Sequence, residues 1–264
     1  MRGTQRAKKD LPINIRKERD DVKSLAITRF DALDYACNEA LNTLCTNLTY
    51  AGSNIKRVMI TSCMAADGKS FLSINMMRTF AALGKKVVYV CGDLRRFAIM
   101  ERHGIRILQG AGQGMTHYLA GMCELSDVLY STNLSGAFMI PVGREVINSL
   151  ALLSTKRFPA MLDELDDLFD IILIDSPPIG LIIDAAEIAK SCDGALLVVS
   201  YNKIRRRDLN WAKHQIELTG CMVLGAVLNN VSFDSYTSKR YYNKSYYTSC
   251  DASDQNKPKK QVNV

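Results

Sequence analysis

The sequence lacks any long apolar segment, and this excludes a membrane-spanning protein. No run of about 18 apolar residues, the length that a membrane helix needs, occurs in the chain. The basic start, MRGTQRAKKDLP, is not followed by an apolar segment, so it is not a secretory signal. We therefore expect a cytoplasmic protein.

The sequence also lacks clustered metal ligands. It has eight cysteines and three histidines, but no CxxC pair and no Cys/His cluster, so a zinc site is not expected. Hydrophobic residues make up 47% and charged residues 23% of the 264 residues, enough to bury a sizeable core. Disorder and a small disulfide scaffold are therefore excluded. We expect reduced, mostly buried cysteines.

The net charge of +7 is not one large patch. Residues 1–9 contain four basic residues and no acid, residues 257–260 contain three lysines, and acids and bases alternate between these ends. The basic arm has two interpretations: a solvated surface, or a segment that lies against an anionic membrane leaflet or an acidic partner.

Short apolar runs alternate with helical patterns from residue 56 onward. The runs predict strands over 58–61, 87–90, 171–174, 196–199 and 223–228, and the helical patterns cover 33–48, 69–83, 150–168 and 184–190. This alternation predicts an α/β fold with a mostly parallel central sheet and helices on both faces. Residues 104–143 are less regular. We divide the chain into a basic N-terminal arm (1–30), the α/β domain (31–235) and a tyrosine-rich tail (236–264).

The segment RVMITSCMAADGKSF joins a predicted strand to a predicted helix. Gly68, Lys69 and Ser70 form the end of a phosphate-binding loop, in which backbone amides face a phosphate, the lysine reaches its oxygens and the serine hydroxyl holds Mg²⁺. Cys63 occupies the position of the first glycine in the usual GxxxxGK[ST] pattern. The candidate nucleotide-binding residues are Met64, Ala65, Ala66, Asp67, Gly68, Lys69, Ser70 and Phe71.

Two aspartates follow predicted strands directly, Asp93 in VVYVCGDLRR and Asp175 in FDIILIDSPP. In an open α/β sheet, ligands bind at the carboxyl ends of the strands. We therefore expect Lys69, Ser70, Asp93 and Asp175 to converge on one site, with Ser70 and the two aspartates as metal ligands. The alternative is that both aspartates only cap helices or turns.

Three segments together, TSCMAADGKS, CGDLRR and IDSPP, resemble the Walker A, Walker A′ and Walker B motifs of bacterial tyrosine kinases of capsule and exopolysaccharide assembly. The resemblance covers roughly residues 30 to 250 and implies a P-loop NTPase-like fold, ATP and Mg²⁺. ParA/MinD-like ATPases of DNA and membrane partitioning carry a signature lysine where this chain has Met64. The resemblance therefore favours the kinases, with no nucleic-acid partner.

The tail carries a second feature of the same family. Five of the eleven tyrosines lie within a polar segment, at Tyr236, Tyr241, Tyr242, Tyr246 and Tyr247. Tyrosines usually bury their rings, so this density does not suit a core. The cluster is similar to the autophosphorylated C-terminal cluster of these kinases, while a partner-binding tail is the alternative.

The Walker A and Walker A′ motifs depart from the family pattern. Where the family has DxDxR, this chain has Cys91, Gly92, Asp93, Leu94 and Arg95, and a thiol is a poor ligand for Mg²⁺. The phosphate loop has two alanines, 65 and 66, in place of Pro-Gly. If the second of them adopts a positive φ, we expect a cost in stability or an altered loop.

The oligomerisation motif departs as well. The family's ExxRxxR motif, which builds a ring-shaped octamer, appears here as Glu39, Asn42 and Cys45 without its arginines.

The resemblance implies an ATP-dependent protein-tyrosine kinase that phosphorylates the tail of a neighbouring subunit and regulates polysaccharide polymerisation and export. Lys69 would neutralise charge on the phosphoryl group, and Asp93 would inherit any base role from Cys91. Asn229 is similar to an adenine-contacting position, although a strand-end turn explains it equally well. A nucleotide-binding pseudokinase is the first alternative and a ParA/MinD-like ATPase the second.

The resemblance also implies a partner. A membrane adaptor of the chain-length-determinant type would recruit the kinase to the inner face of the plasma membrane, with residues 1–30 as the candidate docking region. The kinase would also associate with itself as a homo-oligomer.

Overall fold

A computed structural model of the protein describes residues 23–52, 54–95 and 98–231. The strands are β1 (Ser24–Ile27), β2 (Arg57–Ser62), β3 (Val87–Cys91), β4 (Ile105–Gln109), β5 (Tyr130–Ser131), β6 (Ala137–Ile140), β7 (Ile171–Asp175), β8 (Gly194–Ser200) and β9 (Met222–Asn229). The helices are α1 (Tyr35–Tyr50), α2 (Lys69–Ala82), α3 (Ala98–Arg102), α4 (Met115–Leu119), α5 (Leu125–Val128), α6 (Ser149–Leu153), α7 (Arg157–Leu168), α8 (Asp184–Ala189) and α9 (Arg206–Glu217).

The strands form one sheet in the order β4-β1-β5-β6-β3-β7-β2-β8-β9. The six strands from β6 to β9 in this order run parallel, whereas β1 is antiparallel to β4 and β5 is antiparallel to β6. Every residue of β3 and β7 is buried. Because successive side chains of a strand point to opposite faces, both faces of the central sheet are covered, as the continuous apolar runs predict.

The parallel sheet confirms the predicted fold class. All five predicted strands lie within observed strands of the parallel part, and the predicted helices at 69–83 and 184–190 correspond to α2 and α8. The irregular region 104–143 contains β4, β5 and β6 with two short helices. β5 has only two residues and β4 is mostly exposed, so neither forms the continuous apolar run by which the other strands were predicted.

The predicted helix over 150–168 is wrong as a single element. The structure divides it into α6 and α7, and Ser154 ends the first of them. Pro159 explains the division, because a proline inside a continuous helix would remove one backbone hydrogen bond and clash with the preceding turn. In the observed structure Pro159 lies in the first turn of α7, where a proline is tolerated.

The predicted arm boundary at residue 30 is also too late. Leu25 and Ile27 are both 1% exposed, and β1 lies between β4 and β5 in the sheet. A short strand that begins directly after a charged segment has too few residues for a visible alternation. Residues 1–22 and the five tail tyrosines lie outside the described residues.

None of the helices in the described part of the chain is long and apolar enough to cross a membrane.

Candidate nucleotide and metal site

The segment between β2 and α2 forms the phosphate loop. Its backbone takes left-handed conformations at Ala66 (φ 63°) and Gly68 (φ 92°). Asp67 holds the loop together, because its Oδ2 accepts a hydrogen bond from the Met64 amide at 3.0 Å and its carbonyl accepts one from the Asn229 side-chain amide at 2.9 Å. The loop is therefore fixed from within and from the end of β9.

Ala66 occupies a position that suits glycine. A residue with a Cβ pays roughly 1–2 kcal/mol in the left-handed region, and a glycine would not. From the sequence, a cost in stability is expected if the second alanine that replaces Pro-Gly adopts a positive φ. Ala66 does adopt a positive φ in the structure. The strain lies at the loop that would bind the phosphates.

Lys69 lies at the start of α2, behind the loop. It is 9% exposed, and its Nζ donates to the hydroxyl of Ser62 at 3.2 Å. The first amides of a helix point away from its body and favour an anion. A buried lysine beside such a helix start is suited to bind the oxygens of a phosphate.

Asp175 ends β7 and is 5% exposed. Its Oδ2 accepts two hydrogen bonds, from the Ser70 hydroxyl at 2.6 Å and from the Tyr89 hydroxyl at 2.7 Å. Burial raises the pKa of Asp175, and the two hydroxyls and the charge of Lys69 oppose this rise. Its Oδ1 is buried and has no hydrogen-bond partner among the described residues.

Cys91 ends β3 directly beside Asp175 of β7. It is 3% exposed, and burial raises the pKa of the thiol well above its usual range, with the charges of Asp175 and Asp93 adding to the effect. The thiol therefore stays protonated at neutral pH. It cannot supply the anionic oxygen ligand that an aspartate would place here.

Asp93 follows two residues later and is half-buried. Its backbone amide donates to the Asp175 carbonyl at 3.0 Å, which holds the start of the Walker A′ loop against β7. The side chain of Arg95 extends away from it to Asp184, with Nε and Nη2 each 3.0 Å from a carboxylate oxygen. Ser149 donates to the same, fully buried carboxylate. The loop is thus anchored on both sides of Asp93.

One cavity brings the predicted groups together. Its lining contains the four residues that were expected to converge, Lys69, Ser70, Asp93 and Asp175. It also contains Ala66, Gly68, Cys91, Ile99, Arg102 and Val142. The other predicted loop residues are not part of this lining: Met64, Ala65, Asp67 and Phe71. Asn229 contacts Asp67 rather than the cavity.

Three residues of this region were not predicted from the sequence: Tyr89, which contacts Asp175, Arg102, which lines the cavity, and Asp184, which binds Arg95 of the Walker A′ loop. Tyr89 could have been found, because it lies two residues before Cys91 and alternate residues of a strand share one face. Arg102 and Asp184 come from segments with no motif of their own, and only the tertiary fold brings them close.

The oxygen atoms at this site suit Mg²⁺. The ion prefers carboxylate and hydroxyl oxygens and the phosphates of a bound nucleotide. The buried, unpartnered Oδ1 of Asp175 is the kind of atom that a cation would satisfy. The Ser70 hydroxyl and the Asp93 carboxylate border the same cavity. Side-chain oxygens of this chain would therefore suit Mg²⁺ at this cavity.

Solved structures share this architecture. The kinase domain of Escherichia coli tyrosine kinase ETK matches with a TM-score of 0.69 and 27% identity, over 75% of this chain and 77% of that chain. Septum site-determining protein MinD from Pyrococcus horikoshii, complexed with Mg-ADP, matches with a TM-score of 0.57 and 24% identity, over 66% of this chain and 70% of that chain. The second likeness concerns the fold alone. Fold and phosphate loop together define a P-loop nucleotide-binding protein.

Curated relatives narrow this class. The tyrosine-protein kinase CpsD of Streptococcus pneumoniae is 36% identical over 206 residues, which cover 77% of this chain and 89% of the relative. The putative tyrosine-protein kinase CapB of Staphylococcus aureus is 31% identical over 192 residues, 73% of this chain and 82% of the relative. No family model matches the sequence. The chain belongs to the family of bacterial tyrosine kinases.

Proposed function

We propose that this chain uses ATP and Mg²⁺ to phosphorylate tyrosines in the tail of its own kind, as part of capsule or exopolysaccharide assembly. The observation that carries the proposal is the convergence of Lys69, Ser70, Asp93 and Asp175 on one cavity. It is supported by the names of the relatives, which are tyrosine-protein kinases. The proposed acceptors are Tyr236, Tyr241, Tyr242, Tyr246 and Tyr247.

Phosphoryl transfer of this kind depends on positioning and electrostatics. The loop amides at the start of α2 and the ammonium of Lys69 would bind the phosphate oxygens. Ser70, Asp93 and Asp175 would hold Mg²⁺, which offsets charge on the phosphates when it is bound. Asn229, which fixes Asp67, would support the loop near the adenine side.

The acceptor tyrosine must lose its hydroxyl proton. The Cys91 thiol cannot accept it as a base, because burial and neighbouring carboxylates keep that thiol protonated. Asp93 is the remaining carboxylate of the Walker A′ loop, and it is half-exposed at the cavity. We assign the base role to Asp93.

We further propose that a membrane adaptor of the chain-length-determinant type recruits the kinase to the plasma membrane. The docking region, predicted as residues 1–30, would lie in the part that precedes β1, residues 1–22, whose excess of basic residues would attract an acidic partner or surface. Copies of the kinase would associate and exchange tails. Deletion of the first 22 residues with unchanged adaptor binding would remove this part of the proposal.

The test is a phosphorylation assay with Mg·ATP, with and without the cytoplasmic tail of the adaptor, followed by mapping of phosphotyrosine by mass spectrometry. A Lys69→Met variant is the control, because it keeps most of the unbranched side chain and removes its charge. We expect phosphate on the tail tyrosines of the wild type and none on the variant.

Cys91 favours a second candidate function. A site with a neutral thiol in place of a metal-binding aspartate could bind nucleotide without transferring phosphate and act as a regulatory pseudokinase. Normal ATP binding with no phosphotyrosine under both conditions would support this candidate and contradict the first.

A further inference from the structure

Tyr89 is buried behind the phosphate-binding site and contacts its aspartate. It is 0% exposed, lies on β3 between β6 and β7, and donates its hydroxyl hydrogen to Oδ2 of Asp175 at 2.7 Å. A large ring that is packed on all sides in a central strand cannot change its position without disturbing the core. Its hydroxyl is thus a fixed donor.

Both side-chain hydrogen bonds that Asp175 accepts fall on the same carboxylate oxygen. Ser70 and Tyr89 both donate to Oδ2, and Oδ1 has no hydrogen-bond partner among the described residues. Two donors from different elements, α2 and β3, fix the plane of the carboxylate. They leave one oxygen of a cavity-lining residue available to another ligand.

Both donors are neutral, and this matters for the charge of the site. A phenol and an alcohol orient a carboxylate without cancelling its charge. The nearby Asp184 shows the contrast, because its carboxylate is paired with the guanidinium of Arg95 at 3.0 Å. Asp184 is therefore held in a structural ion pair, whereas both hydrogen bonds that Asp175 accepts on Oδ2 come from neutral hydroxyls.

The same face of β3 explains why this donor comes from Tyr89. Residues 89 and 91 point to the same side of the strand, so the Tyr89 hydroxyl and the Cys91 thiol lie on one face of the sheet. A thiol is a weak hydrogen-bond donor. Tyr89 is therefore the strong donor that β3 offers to the aspartate of β7.

We infer that Tyr89 is a positioning residue for the metal: its hydroxyl fixes Oδ2 of Asp175 so that Oδ1 can bind Mg²⁺. This inference rests on the proposed function only in requiring that the cavity bind a Mg²⁺-nucleotide. Groups that orient a metal-binding carboxylate typically change metal affinity by roughly 10–100-fold when they are removed.

The test measures binding rather than catalysis. Tyr89→Phe removes only the hydroxyl. Tyr130→Phe is the matched control, since Tyr130 is also 0% exposed and its hydroxyl donates to the carbonyl of Gln113 at 3.0 Å, away from the phosphate loop. The dissociation constant of ADP is measured by calorimetry in EDTA and over a series of free Mg²⁺ concentrations, and thermal unfolding is recorded for each protein.

We expect Tyr89→Phe to bind ADP in EDTA as the wild type does, because Lys69 and the loop amides are unchanged. Mg²⁺ should increase the affinity for ADP, and the free Mg²⁺ concentration that gives half of this increase should be roughly 10-fold higher or more in Tyr89→Phe than in the wild type. Tyr130→Phe should keep the wild-type Mg²⁺ requirement while losing a similar amount of thermal stability.

A Tyr89→Phe protein with the wild-type Mg²⁺ requirement would overturn the inference and leave the proposed function intact. An equal rise in Tyr130→Phe would also overturn it, because the effect would then follow general destabilisation. A wild type whose ADP affinity does not respond to Mg²⁺ would count against the proposed function and this inference together.

Discussion

Replacing Cys91 by aspartate tests the electrostatics of the site directly. Residue 91 is paired with Asp175 on the adjacent parallel strand, so the new carboxylate would lie about 5 Å from the existing one. At an effective dielectric constant of about 20, two such charges repel by about 3 kcal/mol. Burial of the new charge adds to this cost.

Without a cation, Cys91→Asp should therefore unfold at a lower temperature than the wild type. A change of 1 kcal/mol moves the melting temperature of a protein of this size by about 2–4 °C, so we expect a decrease of roughly 6–12 °C in EDTA. With Mg·ADP the two carboxylates would share a cation, and most of this difference should disappear. The tail kinase rate should rise at the same time.

Thermal unfolding in EDTA and in Mg·ADP measures both parts of this prediction. Cys91→Asn is the matched control, since asparagine has nearly the shape of aspartate and no charge. If Cys91→Asp and Cys91→Asn melt together in EDTA and gain equally from Mg·ADP, the repulsion between residues 91 and 175 is not the dominant effect.

Three further substitutions follow from the structure. Ala66→Gly should raise the free energy of unfolding by about 0.5–1 kcal/mol, because relief of the left-handed strain exceeds the entropy cost of glycine; Ala65→Gly, without a positive φ, should lower it in urea unfolding. Arg102→Ala should weaken ATP binding about two- to five-fold in calorimetry by removing a cation from the cavity lining, whereas Arg106→Ala, an exposed change outside that lining, should not. Burial lowers the pKa of His103, so as the pH falls the unfolded chain takes up a proton at this residue before the folded chain does. The free energy of unfolding should therefore decline below about pH 6.5. His103→Gln should flatten this decline between about pH 7.5 and 5.5.

The central part of the fold was predictable because its signal is local. Each parallel strand is a nearly continuous apolar run. Asp175 ends one such run, Asp93 follows another by two residues, and Lys69 and Ser70 begin the helix that the phosphate loop joins to a third. The carboxyl ends of parallel strands all lie at one edge of the sheet, so the sequence predicts that the four residues share this edge. Their convergence also requires β3, β7 and β2 to be neighbours, and the observed strand order shows that they are.

The antiparallel part and the supporting residues were not predictable in this way. β1 and β5 are too short for a visible pattern, and β1 pairs with partners far along the chain. In the sequence, Tyr89 cannot be distinguished from an ordinary core residue, and only the fold shows its hydrogen bond to Asp175. The sequence could only say what a left-handed backbone at Ala66 would cost, because an alanine does not itself predict that conformation.

The contact between Asn229 and the phosphate loop also places the end of β9 beside the phosphate-binding site, because the side-chain amide of Asn229 donates to the Asp67 carbonyl. Under the proposed function, the acceptor tyrosines are thus covalently attached to a strand that ends at this site. A short covalent connection holds an attached group at an effective concentration on the order of millimolar. Under the proposed function, the tail of a neighbouring subunit would compete with this covalently attached tail, and at micromolar protein it could do so only if the subunits associate closely. Dilution separates the two routes, since transfer within one chain keeps its rate and transfer between chains slows.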